Sequence, residues 1–422
     1  MFSGIINAFR VPDLRKKILF TLFILVLYRI GAHIPVPGID AAAIQATLDS
    51  MPALGMLNLF SGDALSRMSV FALGVMPYIT AGIIMQLLQA AIPSLERLSK
   101  EGEAGKRKIT QYTRFLTIGI ATIEAVGLIG AVFGGAVAMS VLPRWLTVLV
   151  IVVTLVAGTT LIMWLAELIT QNGIGQGMSL LIFAGIVSRF PAALAETLMY
   201  GGDDVWNYVL TGLIILSILV VIAAVIYIDR GQRRIPVNYA KRVIGRRVMG
   251  GTSTYIPLKV NGANVVPIIF ASAFLSIPAQ LAMFIDVAWF QTFAEAVASG
   301  PINWVITFVL IVFFSYFYTA LVFNPIDLAD NLRQQGGFIP GVRPGGQTIK
   351  HIETVMNRIV LPGALFLGVI AVGTSILFAA TSNPLIMQFG GTSILIMVGV
   401  ALETMTQIES QLKMRHYDGF FK

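Results

Sequence analysis

The sequence contains no cysteine, only three histidines, and charge on just 12% of its residues. The first absence excludes disulfides, thiolate catalysis and cysteine-bound metals, while leaving the redox compartment open. His33, His351 and His416 have neither metal-ligand spacing nor carboxylates grouped around them, so no metal centre is expected. The scarcity of charge excludes an ordinary soluble domain, where about 25% of residues are charged. Nucleotide fingerprints are missing too. The run EGEAGKRK at 101–108 lacks the GxxxxGK spacing and follows no buried strand. Neither a cofactor nor an enzymatic reaction is expected, so energy for any work must come from a partner or from the membrane potential.

What fills the 422 residues is apolar: 56% are hydrophobic and the mean hydropathy is +0.83. The distribution reads as an all-α polytopic membrane protein with ten transmembrane helices, at about 16–34, 75–94, 113–133, 145–169, 178–198, 207–228, 262–284, 303–323, 357–379 and 386–407. The first run follows Arg15, Lys16 and Lys17 and is long enough to be retained as a span, so no cleavable signal peptide is expected. Of the 29 lysines and arginines, all but Arg29, Arg67, Arg144 and Arg189 fall in segments that share one side with the N-terminus. That asymmetry predicts both termini in the cytosol.

Ten spans divide five and five, at the outer loop near Gly201 and Gly202. An odd number in each half sets the halves in opposite orientations, as in inverted-repeat proteins with a central pathway. The halves are 1–200, with spans one to five, and 201–422, with spans six to ten. Two long cytosolic loops, 229–261 and 324–356, are basic and rich in glycine and proline. Docking of a partner and simple orientation signals are both open readings of them.

One segment does not fit the alternation of spans and loops. LFSGDALSRMSVFALG, at 59–74, is half apolar, too polar for lipid, and shorter than the roughly 20 residues a spanning helix needs. Ser61 or Asp63 is placed to cap a short helix there, and Asp63 precedes Arg67 by four residues, the spacing of a supporting ion pair. Leu65, Met68 and Ala72 would then share a face.

The second span, VMPYITAGIIMQLLQAAIPS, has two kinds of surface. Val75, Ile79, Gly82, Gln86 and Gln89 lie within about 40° of one another at 100° per residue. This stripe begins with branched aliphatics and turns polar toward the cytosol. A wet vestibule narrowing to an apolar collar and glutamine contacts between packed helices both account for it. Charges inside spans are functional candidates by default. Arg29 is expected to snorkel; Glu124 must be protonated, paired or facing water; Arg189, beside Pro191, faces an aqueous cavity or snorkels. Breaks are expected at NGIGQGMSLLIFAGIV, at Pro267 in NGANVVPIIFASAF and at Gly390 and Gly391.

The stretches FSGDALSRMSVFALGVMPYITAGIIMQLL, EGEAGKRKITQYTR, GIGQGMSLLIFAGIV, RGQRRIPVNYAKR, FFSYFYTALVFNP, ADNLRQQGGFIPGVRPG and GGTSILI closely resemble the SecY family, large subunits of bacterial protein-translocation channels. They run in family order over nearly the whole chain. The resemblance implies two inverted five-helix halves around a central hourglass pore, hinged between spans five and six, with a re-entrant plug helix at about 57–72. It implies a protein-conducting channel for unfolded preproteins that also releases transmembrane segments sideways into the cytoplasmic membrane of a bacterium. Matched motif by motif, the collar is Val75, Ile79, Ile182, Val266, Ile269 and Ile396, with two valines in a ring that is usually isoleucine-rich. The plug carries Leu59, Phe60, Ser61, Gly62, Asp63, Leu65, Arg67 and Met68, and its Leu65, Met68 and Ala72 face is expected to rest on the collar.

Thr80, Gln86 and Asn264 are polar candidates at a lateral gate between spans two and seven. Arg233, Arg234, Lys241, Arg242, Arg246 and Arg247 make a basic patch suited to ribosomal RNA or to the motor ATPase SecA. Arg343, held between glycines and prolines, is implied to serve motor-driven export. The small membrane subunits SecE and SecG, the translating ribosome, signal sequences, nascent membrane proteins and the lipid bilayer complete the implied partners. A secondary transporter with inverted repeats is the competing class; it leaves the plug-like segment and basic loops unused, and no intramembrane coupling site is visible for it.

Overall fold

Backbone amides in lipid have no water to bond, so long apolar runs coil. The computed structural model describes residues 9, 11–40, 44, 58, 61–132, 135, 137, 143–200, 205–239, 242–244, 247–249, 253–282, 284–285, 287–298, 300–381 and 390–418. A helix lies on each of the ten expected segments: α1 Pro12–Gly31, α2 Met76–Ala91, α4 Glu103–Gly127, α5 Arg144–Asn172, α6 Gly177–Ser188 continued by α7 Phe190–Tyr200, α8 Val205–Asp229, α9 Val266–Ala282, α11 Pro301–Val322, α13 Gly346–Thr381 and α14 Gly391–Asp418. Three shorter helices, α3 Pro93–Lys100, α10 Ala288–Ala298 and α12 Pro325–Gln334, connect them. Among the described residues, six helices are long and apolar enough to cross a membrane, and α2 with α3, bent by 101°, makes a seventh.

The breaks fall partly where expected. Gly173, Gly175 and Gly177 separate α5 from α6, and Gly175, at φ +86°, donates its N–H to the Gln407 side chain on α14. Arg189 interrupts the fifth segment between α6 and α7. Pro267 does not break the seventh: it sits in the first turn of α9, where a missing N–H costs nothing, and Pro278 is the proline inside that helix. Gly390 and Gly391 likewise mark the start of α14 and not an interruption within it. The expected hinge at Gly201 and Gly202 lies outside the described residues.

The two long loops are one structure. Strand β1, Gln232–Tyr239, pairs antiparallel with β4, Ser253–Lys259, on one side and with β5, Gly337–Phe338, from the other loop on its far side. Strands β2, Arg242–Ile244, and β3, Arg247–Met249, form a separate short ribbon. Ile235 and Val237 point from β1 into a small core with Leu258, Leu332, Ile339 and Ile352, so sheet, α12 and the start of α13 share a hydrophobic interior. Within β1, exposed Arg234 and Pro236 alternate with buried Ile235 and Val237, the two-residue period of a half-buried strand.

Inside the helical body the halves meet at two seams, α2 against α9 and α6 against α14, and α9 also packs on α14. Their contact surfaces belong to one large cluster that includes Ile79, Ile182, Ile269 and Ile396.

Candidate functional site: an apolar waist and its plug

Four helices supply the waist. Val75 caps α2 and Ile79 lies one turn on; Ile182 comes from α6, Val266 and Ile269 from the first turn of α9, and Ile396 from α14. Val75, Ile79, Ile182, Ile269 and Ile396 are buried, none more than 8% exposed, and Val266 packs against the same cluster while partly open. Helix neighbours run α2–α9–α14–α6, so the aliphatic side chains converge from both halves and not from one. Branched side chains are stiff, which suits them to a constriction that sheds water.

The stripe on α2 opens away from that point. Val75 and Ile79 are buried, Gly82 and Gln86 and Gln89 are partly exposed, and beside Gly82 a methyl group would meet nothing within 4 Å. Polar groups here go unanswered by protein: Thr80 Oγ1, Gln86 Oε1, and Ser393 Oγ on α14 are buried with no hydrogen-bond partner among the described residues. Asn264, the third polar candidate at the α2–α9 seam, is half-buried in the turn before α9 at φ +51°. Glu124 of α4 faces a small cavity with Leu65, Ala72 and Leu73 of the plug and with Gln280 and Phe284 at the far end of α9.

Asn58 and Ser61 are helical, and from Gly62 on the plug is a string of turns. Among its described residues, Gly62, Asp63, Met68 and Gly74 take φ of +65°, +76°, +40° and +58°, and such left-handed steps end a right-handed helix within a turn. Ser61 caps no following helix but ties the turn locally: its Oγ accepts from the Leu65 N–H at 3.2 Å and donates to the Asn58 carbonyl at 3.0 Å. Asp63 does not pair with Arg67, which is exposed. Asp63 Oδ1 instead accepts from Asn58 Nδ2 at 3.0 Å and Ser66 Oγ at 2.9 Å, and lies 3.4 Å from Arg189 Nη1. Leu59 and Phe60 lie outside the described residues.

Two apolar surfaces hold the segment, and they differ from the single face expected. Leu65, Met68 and Ala72 pack with Val36, Ala125, Leu128, Ile151 and Leu155, which is to say against α4 and α5 and not against the collar. Ala64 and Phe71 join the collar's cluster, and the partly buried Val70 packs against it. Phe71 stacks on Tyr28 at 5.8 Å between centroids, over Gly31, where any side chain would collide with the ring. The later part of the segment is stitched by backbone: Val36 donates to the Met68 carbonyl and Val70 to the Ile34 carbonyl, both at 2.9 Å.

Arg29 and Arg189 are the residues whose place the sequence left open. Arg29 does not simply snorkel, because its Nη1 donates to the Gly62 carbonyl at 3.0 Å, and the neighbouring Tyr28 hydroxyl donates to the Ser61 carbonyl at 3.3 Å. Their rarity as charges inside spans was the signal that could have found them; the partner was not visible, since it lies on a segment without regular structure.

On the strand layer, Arg233 and Arg234 are exposed on β1, and Arg234 lies over the Tyr255 ring at 4.7 Å. Arg343 is exposed in a loop fixed by Gly341 and Gly345, at φ +82° and +104°, and by Thr348 Oγ1 donating to the Arg343 carbonyl at 3.0 Å. Arg242 and Arg247 open the two short strands β2 and β3, while Lys241 and Arg246 lie outside the described residues.

Known proteins share both the sequence and this architecture. The SecY family model matches residues 69–405. The SecY protein translocase subunit of Streptomyces scabiei is 48% identical over the whole of both chains, across 439 aligned residues. Among solved structures, a protein-conducting channel superposes with a TM-score of 0.66 at 20% identity, covering 94% of this chain and 92% of that one. Sec61 in the canine ribosome–channel complex superposes at 0.61 with 18% identity, over 94% and 92%.

Proposed function

The chain belongs to the SecY family and is a protein-conducting channel, and from that premise we propose that unfolded preproteins thread the waist made by Val75, Ile79, Ile182, Val266, Ile269 and Ile396. The observation that carries this reading is the convergence of buried aliphatics from α2, α6, α9 and α14, two helices from each half, with Ala64 and Phe71 of the plug in the same cluster. An apolar ring needs no covalent chemistry and no cofactor; it closes on itself at rest by excluding water and conforms to any side chain in transit.

The lateral gate lies between α2 and α9, with Thr80, Gln86 and Asn264 along it. Unanswered polar atoms at Thr80 and Gln86 support a seam built to be exchanged for a ligand's surface. A signal sequence or nascent span enters there and partitions by side-chain cost: about −0.6 kcal/mol for a Leu at a helix centre against about +2.5 to +3.5 for Lys, Arg or Asp. The setting is the cytoplasmic membrane of a bacterium with both termini cytosolic, as the distribution of lysine and arginine supports. SecE and SecG flank the channel in this reading. The strand layer receives the ribosome and SecA through Arg233, Arg234, Lys241, Arg242, Arg246 and Arg247, and Arg343 presents a fixed cation to the motor.

Reconstitution with SecE, SecG, SecA, ATP and a signal-bearing preprotein tests the activity: protease-protected preprotein is expected, and its absence from vesicles that hold folded channel refutes it. The waist has its own test. Replacing Ile79, Ile182 and Ile396 together by Gly is expected to raise resting ion current in a planar bilayer, and unchanged current removes these residues from the seal.

A further inference from the structure

Three consecutive residues at the start of the plug are each held by a polar group from the helical wall. The Tyr28 hydroxyl donates to the Ser61 carbonyl at 3.3 Å, Arg29 Nη1 donates to the Gly62 carbonyl at 3.0 Å, and Arg189 Nη1 lies 3.4 Å from Asp63 Oδ1. Arg29 and Arg189 are the arginines of the expected spans that lie away from the expected cytosolic ends, one on the first span and one on the fifth; Arg114 and Arg358 stand at cytosolic ends. Each sits at a helix C-terminus, Arg29 in the last turn of α1 and Arg189 capping α6, where the helix dipole favours a cation. They therefore reach the same turn from two walls, each already stabilised as a cation.

That turn differs from the rest of the plug. Residues 68–70 are joined to 34–36 by backbone hydrogen bonds, and Leu65, Met68 and Ala72 are buried among α4 and α5. Among the described residues, 61–63 have no backbone bond to another segment, only the local bond from the Asp63 N–H to the Asn58 carbonyl, and they follow the surface of α6 closely, with Gly62 against Gly185. Side-chain bonds to charged groups therefore determine where the turn rests. Asp63 suits this role because Asn58 and Ser66 donate to Oδ1, the same oxygen that lies beside Arg189, and so fix the position of that acceptor.

We propose that Arg29 and Arg189 are positioning residues of the seal, a two-cation latch that holds residues 61–63 against α1 and α6 and must release before the plug leaves the waist. This rests on the channel reading and specifies what keeps the closed state closed. With both cations in place, displacing the turn strands two partly buried charges; the plug therefore returns once the translocating chain has passed. The latch acts on the turn and leaves the backbone-stitched residues 68–70 as the anchor about which it swings.

The test is a double-mutant cycle on resting ion current, using the full-length channel with its membrane partners in planar bilayers. Arg189→Gln and Asp63→Asn are each expected to raise the open fraction roughly 10- to 150-fold, the effect of losing a hydrogen bond to a charged group. The double variant should leak no more than either single one, while Arg189→Lys, which keeps the cation, should stay sealed. Arg29→Gln should leak too, and its effect should add to that of Asp63→Asn. Wild-type current in the single variants, or additive effects of Asp63→Asn and Arg189→Gln, overturns the latch.

Because the chain has no cysteine of its own, Asp63→Cys with Arg189→Cys gives a second measurement should any charge variant fold poorly. It should leak until bridged by a short bis-maleimide, then seal and block SecA-driven passage; passage through the bridged channel also overturns the proposal. Failure of the wild type to pass preprotein would condemn the channel reading instead, since the latch is read from resting current alone.

Discussion

The plug and the strand layer are built on opposite plans. In the strand layer a small apolar interior, Ile235, Val237, Leu258 and Ile352, fixes the structure, and Arg233 and Arg234 are exposed. In the first turn of the plug the position is set by polar bonds, Arg29 to Gly62 and Arg189 to Asp63, inside apolar surroundings. Burial in a core is lost only when the unit unfolds, whereas a few directional bonds exchange singly. On the reading proposed above, the region with exchangeable contacts is the one that moves, and the region with the core is the one that presents a constant face.

This comparison breaks most sharply at Gly62. A Cβ there would lie 2.7 Å from Gly185 Cα, and φ is +65°. Backbone strain of about 1–3 kcal/mol and overpacking of about 1–3 kcal/mol act together on Gly62→Val. The variant should lose the closed position of the turn, with resting current raised at least about tenfold and binding of ribosome and motor unchanged. Current at the wild-type level would mean that α6 does not confine this turn.

The counterpart in the strand layer is Ile352→Ala. Truncating a buried Ile costs about 2–5 kcal/mol, a loss confined to a small unit outside the waist. Motor-driven export and ribosome binding should fall severalfold while resting current stays at the wild-type level. A rise in current would show that the layer and the seal are one cooperative unit and that the two regions do not differ in plan.

Smaller effects sharpen the picture. Arg246→Glu with Arg247→Glu should weaken ribosome binding and flatten the plot of log affinity against log salt by about 0.7–0.9 for each phosphate no longer neutralised. Undiminished binding would remove these two from the docking surface. The least effect is expected from Lys100→Ala. Its pair with Glu96, at 2.7 Å, is exposed on both sides, 73% and 53% of the side chains, and exposed pairs contribute little. Its thermal unfolding should match the wild type; a measurable drop would indicate a contact that this pair does not explain.

How much could be read before the structure follows from the range of the interactions. Helix positions were legible because lipid leaves the apolar runs one backbone solution, and the Val75–Ile79–Gln86 stripe because helical period converts spacing into a face. The Asp63–Arg67 pair failed for the same reason. Four-residue spacing brings side chains together only on a helix, and Asp63 sits at φ +76°. The strands were missed because β1 is masked by its cations, and its second neighbour, Gly337–Phe338, lies about a hundred residues away in another loop. Pro267 was misread because a proline that would break a helix interior is harmless in a first turn, and nothing local marks where α9 begins.

By itself, then, the sequence determined that this chain is a bundle of apolar helices with most of its cations in the segments between them, since hydropathy and charge act on each segment independently. Which aliphatics meet, which wall the plug leans on, and which carboxylate answers Arg189 were decided only by tertiary structure. These depend on pairs of groups far apart in the chain, whose energies exist only when the segments between them have folded.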